Sequence, residues 1–443
     1  MKIWEKGTSL DSEVEKFTIG NDPVFDIELA PYDILGSMAH VKMLKESELL
    51  SDGEALDIIK ELKSLYILSK ENKIKIETGV EDIHSQIEKV LIEKIGDTAK
   101  KIHTARSRND QILLDLKLFT RAQLEEIVLL TNKLFEVLIN LSEKHKEDLM
   151  PGYTHLQVAM PSSFGLWFGA FAESLTDDMQ LLLAAFKIVN QNPLGSAAGY
   201  GSSFGIKREI TTELLGFDDL AYNSIYAQMG RSKNEKIVTF ALSSIGSTLA
   251  KLSMDITLFM SQNFGFIGFP EEYTTGSSIM PHKNNPDVFE LIRAKCNKIQ
   301  ALPNQFSLIS GNLPTGYHRD YQILKEDYMT SFATIKDCLK LSAQMLSDII
   351  IKQDLLEDEK YEFIFTVEEI NKKVLSGIPF RKAYEEVAQS IRNNSYSPDK
   401  NISHSHIGSI GNLCNENITI KMEKVINQFP FKKVNSAIQS LLN

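Results

Sequence analysis

Residues 111–150 read QILLDLKLFTRAQLEEIVLLTNKLFEVLINLSEKHKEDLM and contain neither glycine nor proline. Apolar side chains recur three and four positions apart along this stretch, as at Leu134, Leu138 and Leu141. This spacing is typical of an amphipathic helix rather than of a strand. At about 1.5 Å per residue the predicted helix is roughly 55 Å long, and Pro151 is expected to end it. The stretch therefore predicts an α-helical fold.

Four further long helices are predicted from the same spacing and from the scarcity of glycine and proline, which are also missing from residues 317–376. Their approximate ranges are 161–191, 233–263, 286–300 and 325–355. Residues 164–171 and 237–258 are apolar on more than one face, which is typical of helices inside a bundle, including one shared between subunits. Strand signals are few and short, so we expect an all-α protein.

Composition divides the chain into three expected segments. Residues 1–103 carry shorter helices and turns, residues 104–350 hold the long helices of a central bundle, and residues 351–443 return to shorter elements. With 443 residues the chain is long enough for two or three domains and a large core. We therefore predict a three-domain chain built around a long-helix bundle.

The formal net charge is −11, with 43% hydrophobic and 24% charged residues. This balance is typical of a globular protein and argues against a general nucleic-acid binder, which carries a basic excess. The cysteines Cys296, Cys338 and Cys414 lack C-x-x-C spacing, as in a reduced cytosolic protein. Residues 1–7 show no apolar run, and the longest apolar stretch, residues 164–172, is too short for a membrane span. We expect a soluble, cytoplasmic protein that binds neither membranes nor nucleic acids.

Residues 276–286 read GSSIMPHKNNP and carry the clearest chemical signal of the chain. A serine hydroxyl such as that of Ser277 is a poor base at neutral pH, so it needs a perturbed environment. The ammonium of Lys283, six residues on, can favour the alkoxide and stabilise an enolate-like dianion. Asn285 is predicted to cap a helix that begins at Pro286, and a helix N-terminus favours anions. The alternative is a serine-rich turn before a capped helix. This alternative is favoured when any one of these residues is considered alone, but not when the whole string is considered.

Residues 152–157, GYTHLQ, place His155 beside Thr154 at a predicted junction between two helices. Loops at such junctions often carry functional residues. Glu290, on the first turns of the helix after residue 286, would make His155 a charge-tuned acid/base if the two side chains meet. A lone histidine is more often a structural hydrogen bonder, and from these residues alone that alternative stays open.

The stretch HTARSRNDQ at residues 103–111 opens the longest predicted helix and offers Arg108 and Asn109 to a ligand. Arginine binds carboxylates bidentately, and the helix N-terminus adds partial positive charge. The alternative is an ordinary solvated helix start with Asn109 or Asp110 as its cap. Taken alone, this stretch favours the ordinary helix start.

A fourth polar stretch, GYHRDYQILK at residues 316–325, opens another long helix. It offers the side chains of Tyr317, Gln322 and Lys325 to a polar ligand, although a capped helix start is again the favoured alternative when the stretch is taken alone. The polar loop at residues 404–406 holds two histidines without carboxylate or thiolate companions, so no metal site is expected.

These four stretches resemble, in the same order, those of the argininosuccinate lyase family of the fumarase/aspartase superfamily: HTxRSRNDQ, GYTHLQ, GSSxMPxKxNPD and residues 317–325. EDIH at residues 81–84 and GIPFR at residues 377–381 are similar to its flanking motifs, so the resemblance covers essentially the whole chain. It implies an all-α homotetramer whose active sites are each built from three subunits. It also implies that no metal or organic cofactor is needed.

The resemblance further implies roles for the side chains. Ser277 would be the base, His155 with Glu290 the charge-paired helper, and Lys283 the group that stabilises the carbanion. The expected substrate-binding residues are Arg108, Asn109, Thr154, Asn285, Tyr317, Gln322 and Lys325. The implied reaction releases fumarate from argininosuccinate and leaves arginine, with residues 276–284 closing over the substrate.

Two other interpretations stay open at this point. One is a sister lyase that also releases fumarate, such as adenylosuccinate lyase or aspartase. The other is a non-catalytic tetrameric scaffold, as in the lens crystallins derived from this family. The sequence departs from the family pattern at Asp22, Ala105, His282, Asn284 and residues 231–233. These departures concern the substrate contacts rather than the elimination chemistry.

Overall fold

The computed structural model describes residues 11–443, and most of them are helical. The helices are Ser12–Ile19 (α1), Asp22–Asp26 (α2), Ala30–Glu46 (α3), Asp52–Lys70 (α4), Ile83–Ile95 (α5), Asp97–Lys100 (α6), Arg108–Lys144 (α7), Phe164–Val189 (α8), Arg208–Leu214 (α9), Ser224–Met260 (α10), Asp287–Ser310 (α11), Leu324–Ser347 (α12), Thr366–Leu375 (α13), Phe380–Arg392 (α14), Asn415–Ile426 (α15) and Phe431–Leu442 (α16). The all-α prediction is confirmed. Residues 1–7, where the sequence shows no apolar run, lie outside the described residues.

Three short strand pairs accompany the helices in the described part of the chain. Strands Leu149–Thr154 (β1) and Gln157–Ser163 (β2) form an antiparallel hairpin. Strands Gln191–Asn192 (β3) and Asp219–Leu220 (β4) pair in parallel, and Ile267–Gly268 (β5) pairs antiparallel with Ile350–Ile351 (β6). The prediction of a simple helix–helix junction around His155 is therefore wrong, because a hairpin separates α7 from α8.

Helix α7 is 37 residues long and begins with a capping box. Ser107 accepts from the backbone of the first turn, and Asp110 reaches back to the Ser107 N–H at 3.0 Å. Neither Asn109 nor Asp110 is the N-cap residue, so that alternative is wrong. The helix ends at Lys144 rather than near Pro151, because residues 149–154 pair in the hairpin.

The long helices α7, α8, α10, α11 and α12 pack into one bundle. Helix α10 is interrupted at Arg231 and Ser232, whose backbone is not helical. Helix α11 continues through Pro303 to Ser310, ten residues beyond its predicted end, and α12 ends at Ser347 rather than near residue 355. The predicted helices are thus present, with different ends.

One continuous cluster of buried apolar side chains extends from Leu29 to Leu441. A second, smaller cluster holds Ile370, Ala383 and Val387 between α13 and α14. The division of the chain at residues 103 and 350 stays a prediction.

Among residues 11–443, α10 is the one helix long and apolar enough to cross a membrane. However, 61% of its most apolar window is buried inside the protein, which is typical of a helix in a protein core.

Gly165 allows the first turn of α8 to touch the end of α7. A methyl group there would lie 2.5 Å from the Ser142 carbonyl oxygen and 2.6 Å from Lys146 Cα. Backbone atoms cannot yield as flexible side chains do, so we expect Gly165→Ala to lower the free energy of unfolding by about 1–3 kcal/mol. Urea unfolding followed by circular dichroism measures this change.

A matched glycine provides the control for this prediction. Gly53 lies in the first turn of α4, and a methyl group there would meet no described atom within 4 Å. We expect Gly53→Ala to raise the free energy of unfolding by up to about 1 kcal/mol, because alanine is the better helix former. Equal changes in both variants would contradict the role of Gly165.

Candidate active site

Five of the predicted substrate-binding residues line one cavity of about 290 Å³. It lies between α2, the start of α5, the start of α7 and the 3₁₀ turn Arg319–Ile323 that precedes α12. The lining residues are Ile19, Asp22, Asp26, Glu81, Asp82, Ser85, His103, Arg108, Asn109, Ile112, Tyr317, Arg319, Gln322 and Lys325. We call it the arginine-lined pocket.

Arg108 is held in this pocket by three neighbours. Its Nε lies 3.2 Å from Asp82 Oδ2, Nη2 donates to Ser85 Oγ at 3.1 Å, and Nη1 donates to Gln111 Oε1 at 3.2 Å. Asp82 and Ser85 are fixed in turn, because Asp82 caps α5 by accepting from the Ser85 N–H at 2.7 Å. The guanidinium therefore has a defined orientation.

Lys325 carries a positive charge that is almost completely buried. Its Nζ lies 2.5 Å from Asp26 Oδ1 and 3.0 Å from Asp22 Oδ1. Burial alone would lower the pKa of Lys325, but the attraction of Asp26 and Asp22 outweighs it and raises that pKa. Burial raises the pKa of both carboxyls, and Lys325 opposes the rise. Two acids thus share one ammonium at the pocket wall.

Gln322 and Arg319 tie the beginning of the described chain to this pocket. The Gln322 amide donates to the carbonyls of Thr18 and Ile19, both at 2.9 Å, and Arg319 Nη2 donates to Thr18 at 3.0 Å. Gln322 Oε1 accepts from Arg319 Nε at 3.1 Å. The amide of Gln322 therefore holds the pocket wall as well as lining the cavity.

The Ser277 loop lies outside the arginine-lined pocket. Asn285 closes its base, because the Asn285 N–H donates to the Thr275 carbonyl at 2.8 Å and its amide donates to the Gly276 carbonyl at 3.1 Å. Helix α11 begins at Asp287, after Pro286. The predictions of Asn285 as N-cap and Pro286 as first helical residue are therefore wrong, since the loop uses the Asn285 side chain itself.

Within the loop, Ser277 Oγ accepts hydrogen bonds from two backbone N–H groups, those of Ile279 at 3.4 Å and Met280 at 3.2 Å. Donors directed at an oxygen favour its negatively charged form. The Lys283 N–H donates to the Met280 carbonyl at 3.1 Å, which makes the segment a compact turn, and the Lys283 side chain is exposed.

His155 lies at the tip of the β1–β2 hairpin. His155 and Leu156 both have positive φ, +54° and +56°, and connect the paired residues Thr154 and Gln157. A two-residue connection with both φ values positive suits the twist of a hairpin, but it is strained for residues other than glycine or asparagine. The tip, including Thr154, is exposed.

Glu290 is exposed on the first turn of α11. Among the hydrogen bonds and ion pairs of residues 11–443, none joins it to His155. Their pairing stays a prediction. One chain thus gathers Arg108, Asn109, Tyr317, Gln322 and Lys325, and leaves the Ser277 loop and the hairpin tip on other surfaces.

Comparison with known proteins identifies the family. A family model described as Lyase matches residues 9–301. The argininosuccinate lyase of Parabacteroides distasonis is 55% identical over 442 residues, which cover 100% of this chain and 99% of that protein. The chain belongs to the argininosuccinate lyase family. The family member from Bacteroides fragilis is 54% identical over 100% of this chain and 99% of that one. The member from Thermotoga neapolitana is 40% identical over 88% and 98%, respectively.

Solved structures resemble the fold of this argininosuccinate lyase family member. The crystal structure of EDDS lyase in complex with formate superposes with a TM-score of 0.79 at 20% identity, covering 98% of this chain and 95% of that one. A fumarate lyase:delta crystallin from Brucella melitensis bound to cobalt gives 0.71 at 16% identity, covering 94% of each chain. At these identities the likeness concerns the fold alone.

Sequence reasoning did not assign three acids to the site, Asp26, Glu81 and Asp82. The spacing of Asp22 and Asp26 is a signal that could have found the first, because residues four apart lie on one helix face. Ala105, one of the departures from the family pattern named above, has φ +58°. Glycine adopts this conformation freely, whereas alanine is strained there by about 1–2 kcal/mol.

His40 supports the segment that leads to α7 and makes stability depend on pH. It is fully buried, and its Nε2 lies 2.9 Å from the Thr104 carbonyl oxygen. Burial, and then the charge of Arg106, lowers the pKa of His40 from 6.5 to about 3. Because the folded-state pKa lies below the unfolded-state value, His40 contributes stability above pH 6.5 that is lost as the pH falls toward 3.

We expect the free energy of unfolding of His40→Gln to fall less steeply than that of the parent protein as the pH is lowered from 6.5 to 4.5. The difference in slope should be about 1 kcal/mol per pH unit, because the glutamine amide can still donate to Thr104 but does not titrate. Urea unfolding at several pH values and one protein concentration measures it. Parallel curves for the two proteins would contradict this assignment.

Proposed function

We propose that this protein catalyses the reversible cleavage of argininosuccinate into arginine and fumarate. The observation that carries this proposal is the 54–55% identity to argininosuccinate lyases over the full length of the chain. The Ser277 loop, the GYTHLQ turn and the two polar helix starts supply side chains suited to this elimination. The enzyme is a carbon–nitrogen lyase.

Ser277 is the proposed base. As an alkoxide it removes a proton from the carbon next to a succinyl carboxylate. The two N–H groups directed at its Oγ support the negative charge on that oxygen. The resulting dianion carries extra charge on the carboxylate, and the Lys283 ammonium is proposed to stabilise it.

The carbon–nitrogen bond then breaks, and the departing guanidino nitrogen must gain a proton. His155, charge-paired with Glu290, is our candidate for the group that assists this step. Because Ser277, Lys283, His155 and Glu290 do not line the arginine-lined pocket, we propose that different subunits contribute them to one site. Thr154 and Asn285 would approach the substrate with these segments.

The arginine-lined pocket suits an amino-acid end of the substrate, which carries both charges. Arg108 and Lys325 offer cations, while Asp22 and Asp26 offer anions within the same cavity. Asn109, Tyr317 and Gln322 add neutral hydrogen-bonding groups. We propose that this pocket binds the arginine half and that the Ser277 loop covers the succinyl half.

We propose that the active form is a cytoplasmic homotetramer. The exposed large apolar side chains of the long helices include Leu129 on α7, Phe240 on α10, and Leu291 and Leu308 on α11. Other copies of the bundle would cover them, as expected for subunit interfaces. Mass determination in solution tests the oligomeric state.

The decisive test is incubation of the purified protein with argininosuccinate while the ultraviolet absorbance of fumarate is followed. Release of fumarate and arginine in equal amounts is expected. Fumarate from adenylosuccinate or aspartate, and none from argininosuccinate, would assign a sister lyase instead. Release from none of the three would favour a non-catalytic scaffold.

A further inference from the structure

A cluster of buried charged side chains lies beneath the arginine-lined pocket. Asp33, His84 and Asp115 are at most 2% exposed, and their potential ligand atoms lie within 4.8 Å of one another. His84 Nε2 is 2.8 Å from Asp115 Oδ2. Within residues 11–443, Asp33 Oδ2, His84 Nδ1 and Asp115 Oδ1 have no hydrogen-bond partner. Such a group is costly to bury, so its retention requires an explanation.

Two chains of contacts join this cluster to Arg108. In the first, Gln111 accepts from Arg108 and donates from Nε2 to Asp33 Oδ1 at 2.6 Å. In the second, Asp82 contacts Arg108 through Oδ2, while its Oδ1 lies 3.8 Å from His84 Nδ1. Gln111 is thus hydrogen-bonded to the buried cluster, whereas Asp82 lies beside it without a hydrogen bond to it.

The contacts of Arg108 leave a specific part of its guanidinium for a ligand. A guanidinium has five N–H groups. Asp82 forms an ion pair on the Nε side at 3.2 Å, while Ser85 accepts one N–H of Nη2 and Gln111 accepts one N–H of Nη1. Among the described residues this leaves one N–H on each Nη, and two such N–H groups can bind a carboxylate with two hydrogen bonds. Rotation of the side chain would remove this arrangement.

A metal ion is the other group that could occupy the cluster. The Nε2–Oδ2 distance of 2.8 Å between His84 and Asp115 is that of a hydrogen bond. The guanidinium of Arg106 also acts on both Asp33 and Asp115 and opposes the rise in pKa that burial causes in these carboxyls. The charge is therefore already balanced in part, and a shared proton between His84 and Asp115 accounts for the geometry.

We propose that the His84–Asp115 pair, together with Asp33, is a positioning unit for substrate binding. Asp33 holds Gln111 by a hydrogen bond and His84 packs against Asp82, so that Arg108 presents its remaining N–H groups to a substrate carboxylate. His84 and Asp115 do not touch the cavity and act only through Arg108. This inference rests on the proposed function, because it assigns Arg108 to the substrate.

Two matched substitutions at His84 test the proposal. Glutamine can place an N–H near the position of Nε2 and so still donate to Asp115, whereas asparagine is too short to reach it. We expect His84→Asn to raise KM for argininosuccinate about tenfold with kcat changed less than about threefold, as for a binding group displaced by a fraction of an ångström. His84→Gln should keep KM within about threefold of the parent value.

A double-mutant cycle separates positioning from a general loss of structure. In an Arg108→Met background, His84→Asn should cause no further rise in KM, because the group that it positions is gone. Additive effects in the cycle would overturn the proposal, as would an unchanged KM in His84→Asn. Asp115→Asn, which keeps the shape of the side chain, replaces His84→Asn if the latter does not assemble.

Two further measurements guard the interpretation. We expect elemental analysis of the purified parent protein to find no stoichiometric divalent metal. If the parent protein held such a metal and Asp115→Asn lost it, the cluster would be a metal site and not a positioning unit. Fumarate release by the parent protein tests the proposed function separately. If no fumarate is released, the proposed function fails and there is no KM to compare. If only the double-mutant cycle contradicts the proposal, the activity of the parent protein remains intact.

Discussion

We expect Ser277→Ala to lower kcat for argininosuccinate cleavage by about a thousandfold, within the range that a general base contributes. The substitution removes the only atom proposed to take the proton, and it leaves the loop base intact, because Asn285 and Thr275 close the loop through backbone bonds. The free energy of unfolding should change little, since the loop is at the surface. Initial rates of fumarate release at saturating substrate measure kcat.

The neighbouring hydroxyl provides the control. Ser278→Ala removes an exposed hydroxyl from the same loop and should leave kcat within about threefold of the parent value. The mass of the assembly and the circular dichroism spectrum should match the parent protein in both variants. A near-normal kcat for Ser277→Ala would remove Ser277 from the role of base.

Lys283→Met is expected to lower kcat by about a hundredfold to a thousandfold, the usual effect of removing one group that stabilises an oxyanion. The reason is that the dianion carries more charge than the substrate, so an ammonium beside it contributes more to the transition state than to the bound ground state. Methionine keeps the length and the apolar stem of lysine. Steady-state kinetics at several substrate concentrations separates kcat from KM.

A lysine far from the loop controls for the loss of one charge. Lys60 is exposed on α4, and Lys60→Met should leave both kcat and KM close to the parent values. If Lys283→Met changed KM alone, Lys283 would be a binding residue that contributes equally to the ground state and the transition state.

The fold class was predictable because helical spacing is a local property. The spacing of Leu134, Leu138 and Leu141 predicts a helix, and these three residues lie in α7. The hairpin was not predictable in the same way, because its turn uses His155 and Leu156 with positive φ. Neither residue type signals such a turn, as asparagine followed by glycine would.

The helix cap predicted at residues 285–286 illustrates a second limit of predicting structure from sequence. Asparagine followed by proline satisfies the local rule for a helix start. In the structure, the Asn285 amide instead bonds Gly276, nine residues earlier, and helix α11 begins at Asp287. A contact across the loop took precedence over the local preference, and only the folded chain reveals it.

The candidate site was predictable only in part. The motifs identified Arg108, Tyr317 and Lys325 from their neighbours in sequence, and one cavity contains them. The acids that fix the orientation of these cations come from distant segments, which no local pattern connects. Whether Ser277 and His155 join them stays a prediction.

The link between Lys325 and Asp26 joins residues that are 299 positions apart. During synthesis on the ribosome, most of the polypeptide is therefore made before Lys325 is available to pair with Asp22 and Asp26. Such distant pairings form late during folding. The cavity wall is accordingly finished near the end of translation, and a truncated polypeptide that stops before α12 would expose two uncompensated carboxylates.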